Sequence, residues 1–245
     1  MINVVGPQCG LGNQLFIYAC YLRLKKEKGN VFIRNIQRKR HERYGCELDR
    51  AFGLKITNIP SFIDRLLFNK YMLKYVYSFI SESFDPPSFV SSKHKSLISY
   101  YYGFYHSTDF FKGVENEVKK AFVFSEKFMN RYTIAMEREI VKLPNTVSIH
   151  IRRGDYTNDP DKFGNICTES YYREAILYIQ NEIGRDISYY VFSDDLDYAR
   201  RLFQGLNAVF VDGNRNEDSF LNLYLMSKCQ HNIIANSTFS WWGLG

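Results

Sequence analysis

Apolar and polar positions recur with two different periods along this chain, and each change of period marks an element. Ile2, Val4 and Val5 sit in a short, largely apolar run of the kind that forms a buried strand. Over residues 14–28, Leu15, Tyr18, Ala19 and Leu22 recur at i, i+3, i+4 and i+7, which predicts an amphipathic helix. Gly29 stops that helix and residues 31–34 begin a second strand, so the chain opens as β-α-β. Residues 35–95 carry the least legible pattern. Residues 66–80 read as helical, and Phe84, Asp85, Pro86, Pro87 and Ser88 as a loop. Residues 97–105 are aromatic and strand-like. Ser125 is placed to cap a helix over residues 126–143, with Phe128, Tyr132, Ala135 and Ile140 near one face.

Pro144 and Asn145 break the pattern, and the expected domain boundary lies there, giving domains 1–143 and 144–245. The second half then alternates regularly. Val147, Ile149 and Ile151 mark a strand, Thr168 caps a helix that Gly184 ends, and residues 187–193 form another strand. A helix, a strand at 208–211, a helix at 217–228 and a strand at 232–235 follow. Such alternation predicts a parallel sheet, with ligands at the carboxyl ends of its strands.

Three polar clusters fall at those ends. His150, Arg152, Arg153 and Asp155 close the strand at 146–151. Planar guanidinium forks suit phosphate oxygens, although an Arg–Asp surface cluster would give the same letters. Asp194 and Asp195 end the next strand and also suit the N-cap of the helix opening at Leu196. Asn236, Ser237 and Thr238 follow the last strand, and all are good N-cap types at a turn that offers backbone N–H groups to an anion.

The stretches HIRRGD (150–155) and NSTFSWW (236–242) resemble the HxRRxD and NSTFSWW motifs of the α-1,2-fucosyltransferases of glycosyltransferase family 11. GLGNQLFIYA (10–19) is similar to that family's GGLGNQLFQYA, and YYGFYHSTDFF (101–111) and VFSDD (191–195) are weaker echoes. The resemblance runs in order along nearly the whole chain. It implies an α/β, GT-B-like fold with two Rossmann-like domains facing a cleft. The amino-terminal domain would bind the acceptor and the carboxyl-terminal one GDP-fucose. It also implies inverting transfer of fucose to the 2-hydroxyl of a galactoside glycan in surface polysaccharide synthesis. Family members usually continue for a few dozen residues beyond Gly245, so either this chain is truncated or this member is short. In the first case the last helix is expected to be incomplete.

On this reading Arg152, Arg153, His150, Asn236, Ser237 and Thr238 contact the donor phosphates, and Asp194 and Asp195 contact guanosine. His150 also suits a satisfied position within its strand. Asp155 is the leading base, with Asp159 in reserve, and Asn13, Gln14, Tyr105 and His106 are the expected acceptor contacts. No metal or other cofactor is expected, because no D-x-D stands at a strand end. A nucleotide-sugar-binding module without turnover, and a transferase for another nucleotide sugar, remain as alternatives.

Composition narrows the setting. A hydrophobic share of 45% and a charged share of 24% describe a globular protein and exclude a disordered one. The chain opens as a strand, without the pattern of a signal peptide, and lacks an apolar run long enough to span a bilayer. Its five scattered cysteines form no C-x-x-C pair and read as reduced thiols of a cytoplasmic protein. Residues 1–142 carry 23 Lys and Arg against 13 acids, while residues 143–245 carry 9 against 13. The run Arg38, Lys39, Arg40, His41, Arg43 is a solvated basic face or a peripheral contact with an anionic membrane. Nucleic acid is not an expected partner, since no nucleic-acid-binding signature accompanies the run.

Overall fold

A computed structural model of the chain describes residues 2–6, 10–34, 46–56, 59, 77–84, 86–91, 98–158, 163, 166–214 and 216–244. It divides into two compact units, Met1–Ser125 and Glu126–Gly245.

The first unit is built on five strands, β1 (Ile2–Val5), β2 (Val31–Ile33), β3 (Tyr77–Phe84), β4 (Pro87–Ser91) and β5 (Ile98–Tyr101), in the order β2-β1-β5-β3-β4. β1 is parallel to β2 and β5, β5 is parallel to β3, and β4 closes the edge antiparallel to β3. Helix α1 (Leu11–Lys28) follows β1; of the expected stripe it buries Leu15, Tyr18 and Ala19 but leaves Leu22 half-buried, and it buries Phe16, Ile17, Cys20 and Tyr21 as well, so its amino-terminal half is enclosed on all faces and not along one stripe. It starts at Leu11, three residues before the predicted start at residue 14, because the extended Gly10 serves as N-cap. Two short α-helices, α2 (Leu48–Phe52) and α3 (Glu115–Ala121), and a 3-10 turn at Thr108–Phe111 complete the described elements of the unit.

The expected helix over residues 66–80 is overturned at its end: Tyr77 to Ile80 pair in register with Ile98 to Tyr101. Residues 66–76 lie outside the described residues. A dense apolar run suits a buried helix or a buried strand equally, and here the neighbouring strand decides it. The proline segment read as a loop is a hairpin turn, since Phe84 ends β3 and faces Pro87 at the start of β4.

The second unit begins before the expected boundary at residue 143/144. Ser125 does not cap the next helix; its N–H donates to Ala51 O at 2.8 Å, within the first unit. Helix α4 (Arg131–Ile140) is capped instead by Asn130, whose side chain accepts from the Thr133 N–H at 2.8 Å. Its residues Tyr132, Met136 and Ile140 pack into the core of the second unit, so α4 belongs to that unit.

The sheet of the second unit is wholly parallel: β6 (Thr146–Ile151), β7 (Ser188–Ser193), β8 (Ala208–Val211) and β9 (His231–Ile233), in the order β8-β7-β6-β9. Val147, Ile149 and Ile151 of β6 join Tyr172 and Ile176 of α5 (Glu169–Ile183) and Ala199 and Leu202 of α6 (Leu196–Leu202) in one core. A second core holds Tyr190, Phe192 and Val211 with Ile140 and with Leu225 and Met226 of α7 (Phe220–Lys228); Phe239 of α8 (Thr238–Trp242) packs against it. Thr168 caps α5 and Gly184 follows it at φ 90, as their residue types require.

The alternate residues of β6 are polar and buried. Thr146 N donates to Gln230 Oε1 at 2.7 Å, Ser148 Oγ to Asn232 Oδ1 at 2.5 Å, and His150 Nδ1 hydrogen-bonds Ser240 Oγ. Each polar group that leaves water on burial of the strand thereby gains a partner.

Gly213, just beyond β8, lies against an aromatic face: an added Cβ would meet three carbons of the Tyr132 ring at 2.4, 2.4 and 2.5 Å. Gly213→Ala is therefore expected to destabilise the second unit by about 1–3 kcal/mol, as overpacking does. Urea unfolding checks this, and an unchanged midpoint would show that the ring yields freely. Among the described residues, no helix is long and apolar enough to cross a membrane.

Candidate functional site

In the second unit the chain leaves β6 toward β7 and β8 on one side and returns to β9 on the other, so the strand order reverses at β6. Parallel α/β sheets bind ligands outside the carboxyl ends of their strands at such a reversal. The polar residues singled out in the sequence collect there.

Arg152 and Arg153 follow β6 directly and are held by the two acids that follow β7. Arg152 Nη1 lies 2.9 Å from Asp194 Oδ2, and the other oxygen of Asp194 accepts from the Arg153 N–H at 2.8 Å. Arg153 Nε lies 3.3 Å from Asp195 Oδ2, while Asp195 Oδ1 caps α6 by accepting from the Tyr198 N–H at 3.0 Å. The Arg153 guanidinium carbon stands 3.7 Å from the centroid of the Tyr198 ring, a cation–π contact that flattens it against a fixed face. Gly154 makes the close approach possible, since a Cβ there would sit 2.6 Å from Asp194 Oδ2. The guanidiniums remain about one-third exposed, with side-chain exposures of 36% and 37%. Each is thus oriented by a carboxylate without being sealed from solvent.

The turn after β9 comes to the same end of the sheet. Tyr156 Oη donates to Asn236 O at 3.0 Å, and Asn236 Nδ2 donates to Phe163 O at 3.4 Å. Ser237 caps α8 by accepting from the Phe239 N–H at 3.3 Å, and Thr238 opens that helix. Tyr156 stacks on Phe163 at 4.7 Å, and the Arg152 guanidinium lies 5.7 Å from the Tyr156 ring. His150 is buried, and burial lowers its pKa to about 4, with Asp194 opposing and Arg152 assisting the shift. The imidazole is therefore neutral at pH 7 and joins β6 to Ser240. Asp155 begins a 3-10 turn, Asp155–Asn158, and its side chain lies outside the described residues, as does the whole of Asp159. The basic run at residues 38–43 lies outside them too.

The first unit has its own cluster, at the start of α1. His106 Nε2 and Asn13 Oδ1 are 3.0 Å apart, and the His106 ring stacks on Phe104 at 5.3 Å with an interplanar angle of 19°. Partial desolvation lowers the pKa of His106, and the charge of Glu82 opposes this. The other two expected acceptor contacts do not join them. Gln14 is buried, and its Oε1 accepts from the Glu47 N–H at 2.9 Å. Tyr105 is fully buried, its ring against Phe89 and Phe110. Both side chains are thus buried, whereas His106 is exposed.

Sequence reasoning passed over several residues here. Tyr156 follows the HIRRGD stretch directly and Ser240 stands inside NSTFSWW, so position within a motif would have flagged both. Glu47, Glu82 and Tyr198 lie outside those stretches, and only the folded chain brings them in. Among the described residues, no group of three or more His, Cys, Asp or Glu side chains converges as a metal site.

The chain is similar to known proteins over its length. The model of "Glycosyl transferase family 11" matches residues 1–244. An alpha-1,2-colitosyltransferase of Escherichia coli is 28% identical over 252 aligned positions, spanning 96% of this chain and 83% of that protein. The O-antigen biosynthesis glycosyltransferase WbnK of Escherichia coli is 44% identical over 110 residues, 44% of this chain and 36% of its own. Among solved structures, the fucosyltransferase NodZ from Bradyrhizobium superposes with a TM-score of 0.57 at 12% identity, covering 99% of this chain and 91% of that one. POFUT1 in complex with GDP-fucose superposes with a TM-score of 0.52 at 14% identity, covering 99% and 92%. At such identities the structural likeness speaks for the GT-B-like fold alone. The family match over the whole sheet-bearing chain does more: this protein belongs to glycosyl transferase family 11 and is a glycosyltransferase.

Proposed function

We propose that the protein transfers L-fucose from GDP-fucose, with inversion, to the 2-hydroxyl of a galactoside glycan acceptor in surface polysaccharide synthesis. The observation that carries this is the pair Arg152 and Arg153, oriented by Asp194 and Asp195 at the reversal of a parallel sheet. Departure of GDP leaves negative charge on a β-phosphate oxygen, and preorganised guanidiniums stabilise such charge as it grows. The second unit would then hold the donor and the first unit the acceptor, near Asn13 and His106.

In the reaction, the bond from fucose C1 to the phosphate oxygen breaks and the acceptor oxygen bonds C1 from the opposite face. The hydroxyl proton passes to a base, for which Asp155 is the first choice and Asp159 the second. Asn236, Ser237 and Thr238 would line the donor phosphates, with His150 behind them as a neutral support for the turn. Asp194 and Asp195, proposed from the sequence as guanosine contacts, have a second role as holders of the arginines. We place the enzyme in the cytoplasm, with the run at residues 38–43 against the anionic inner face of the membrane and no nucleic acid among its partners.

The 28%-identical relative is a colitosyltransferase, so an activated colitose is the second donor to consider. Turnover of several nucleotide sugars with a galactose-terminated oligosaccharide tests the reading: GDP-fucose is expected to give the highest kcat/KM. A marked preference for another nucleotide sugar overturns the donor, and binding without turnover overturns the reaction. Because the scheme assigns the leaving-group charge to arginines, activity is expected to survive EDTA. A tenfold loss, restored by Mn²⁺ or Mg²⁺, would refute that assignment.

A further inference from the structure

Glu82 lies outside the stretches GLGNQLFIYA (10–19) and YYGFYHSTDFF (101–111), yet it grips the second of them. It projects from β3, and its Oε1 accepts from the Phe104 N–H at 2.7 Å while its Oε2 accepts from the Tyr105 N–H. One carboxylate thus takes two consecutive backbone donors. Charged acceptors of this kind make the stronger class of hydrogen bond. Gly103 is shaped to this grip, since a Cβ there would meet the Glu82 carboxyl carbon and Oε1 at 3.0 Å each. The bend is also one that side chains resist: Tyr105 has φ 57, in the left-handed region, although it is not glycine. Its buried ring anchors one side of the bend and the Glu82 carboxylate anchors the backbone. The next residue, His106, is turned outward as a result, onto Phe104 and Phe16 at 5.3 Å each, with its Nε2 on Asn13.

We infer that Glu82 is a positioning residue for the acceptor side: it fixes the left-handed bend that aims His106 at Asn13. The inference rests on the first unit being the acceptor-binding half. Glu82 does not itself meet the sugar; it acts through the Phe104 and Tyr105 amides. Loosening the bend displaces His106, and misplacements on the order of 1 Å at a substrate-orienting group have large kinetic effects.

The test uses the full chain with GDP-fucose and a galactose-terminated oligosaccharide. Glu82→Gln replaces one accepting oxygen with an NH₂ that opposes a backbone N–H. Gly103→Ala leaves the carboxylate intact and pushes the loop off it, so it serves if the first variant folds poorly. Each is expected to raise the acceptor KM about tenfold while the donor KM stays within about twofold. Each should also weaken the nuclear Overhauser contact between the His106 and Phe16 rings. In Glu82→Gln/His106→Ala the acceptor KM should match that of His106→Ala alone, since the glutamate acts through the histidine. If both the ring contact and the acceptor KM are unchanged in the folded variants, Glu82 does not position His106. If His106→Ala itself leaves the acceptor KM unchanged, the acceptor-side reading fails instead. The ring contact, which needs no substrate, tells the two failures apart.

Discussion

Replacing Arg152 or Arg153 by alanine is expected to lower affinity for GDP about ten- to a hundredfold, the loss of one charge-assisted contact of about 1.5–3 kcal/mol. The rate should fall further than the affinity at whichever arginine meets the leaving oxygen, because charge accumulates there as the bond breaks. Lysine should rescue only in part, since an ammonium cannot reproduce the fork. The geometry separates this from a folding defect. Both arginines stand about one-third exposed beside Asp194 and Asp195, and ion pairs so hydrated contribute less than about 1 kcal/mol to stability. Arg153→Ala should be the more destabilising of the two, because it also gives up the contact with Tyr198 at 3.7 Å. Calorimetric titration with GDP and thermal melting by circular dichroism decide between the roles. Intact GDP binding in a protein that melts early would make the arginines structural and remove the centre of the proposed mechanism.

The second large effect concerns stability and pH. Glu47 is buried against the start of α1, where its carboxyl accepts from the Leu11 N–H, and burial pushes its pKa up from the usual 4.5 to about 7; Leu11 and Arg50 oppose the shift. The unfolded chain releases this proton near pH 4.5 and the folded one near pH 7, so between those values the folded state binds more protons. The stability contributed by the protonated carboxyl is complete below about pH 4.5. It declines as pH rises and is gone above about pH 7, a total of about 3 kcal/mol. Glu47→Gln is neutral, nearly isosteric and still offers Leu11 an accepting oxygen. It should therefore match the wild type in urea at pH 4 and exceed it by about 3 kcal/mol at pH 8. An equal difference at both pH values would show that the effect is packing and not ionisation.

The two units were not equally legible in the sequence. In the second, the helices at Glu169–Ile183 and Leu196–Leu202 are bounded by residues whose types dictate caps, Thr168, Gly184 and Asp195, so local chemistry and tertiary structure agree there. In the first, residues 77–80 carry an apolar density that suits either element, and their pairing with β5 is a fact about residues some twenty positions away. The site divides the same way. Arg152, Arg153, Asp194 and Asp195 end strands, and strand ends can be read from a run of letters. Gln14 and Tyr105 looked like ligand contacts because they are polar members of motif stretches. What buries them is the Glu47 backbone, 33 residues beyond Gln14, and the rings of Phe89 and Phe110 around Tyr105. No local pattern carries that information. His150 is the intermediate case: its alternation with Ile149 and Ile151 put it on one face of a strand, but its partner Ser240 lies 90 residues away.

That distance bears on how the chain is made. The polar side chains of β6 find their partners 84, 84 and 90 residues downstream, at Gln230, Asn232 and Ser240. At a ribosomal pace of about 5–20 residues per second, β6 waits roughly 4 to 20 seconds for them. During that interval it is an apolar strand whose other face carries unsatisfied hydroxyls and an imidazole, and it cannot be buried without loss. The nascent second unit is thus expected to stay open until the segment that carries these partners emerges, a delay set by three side chains of a single strand.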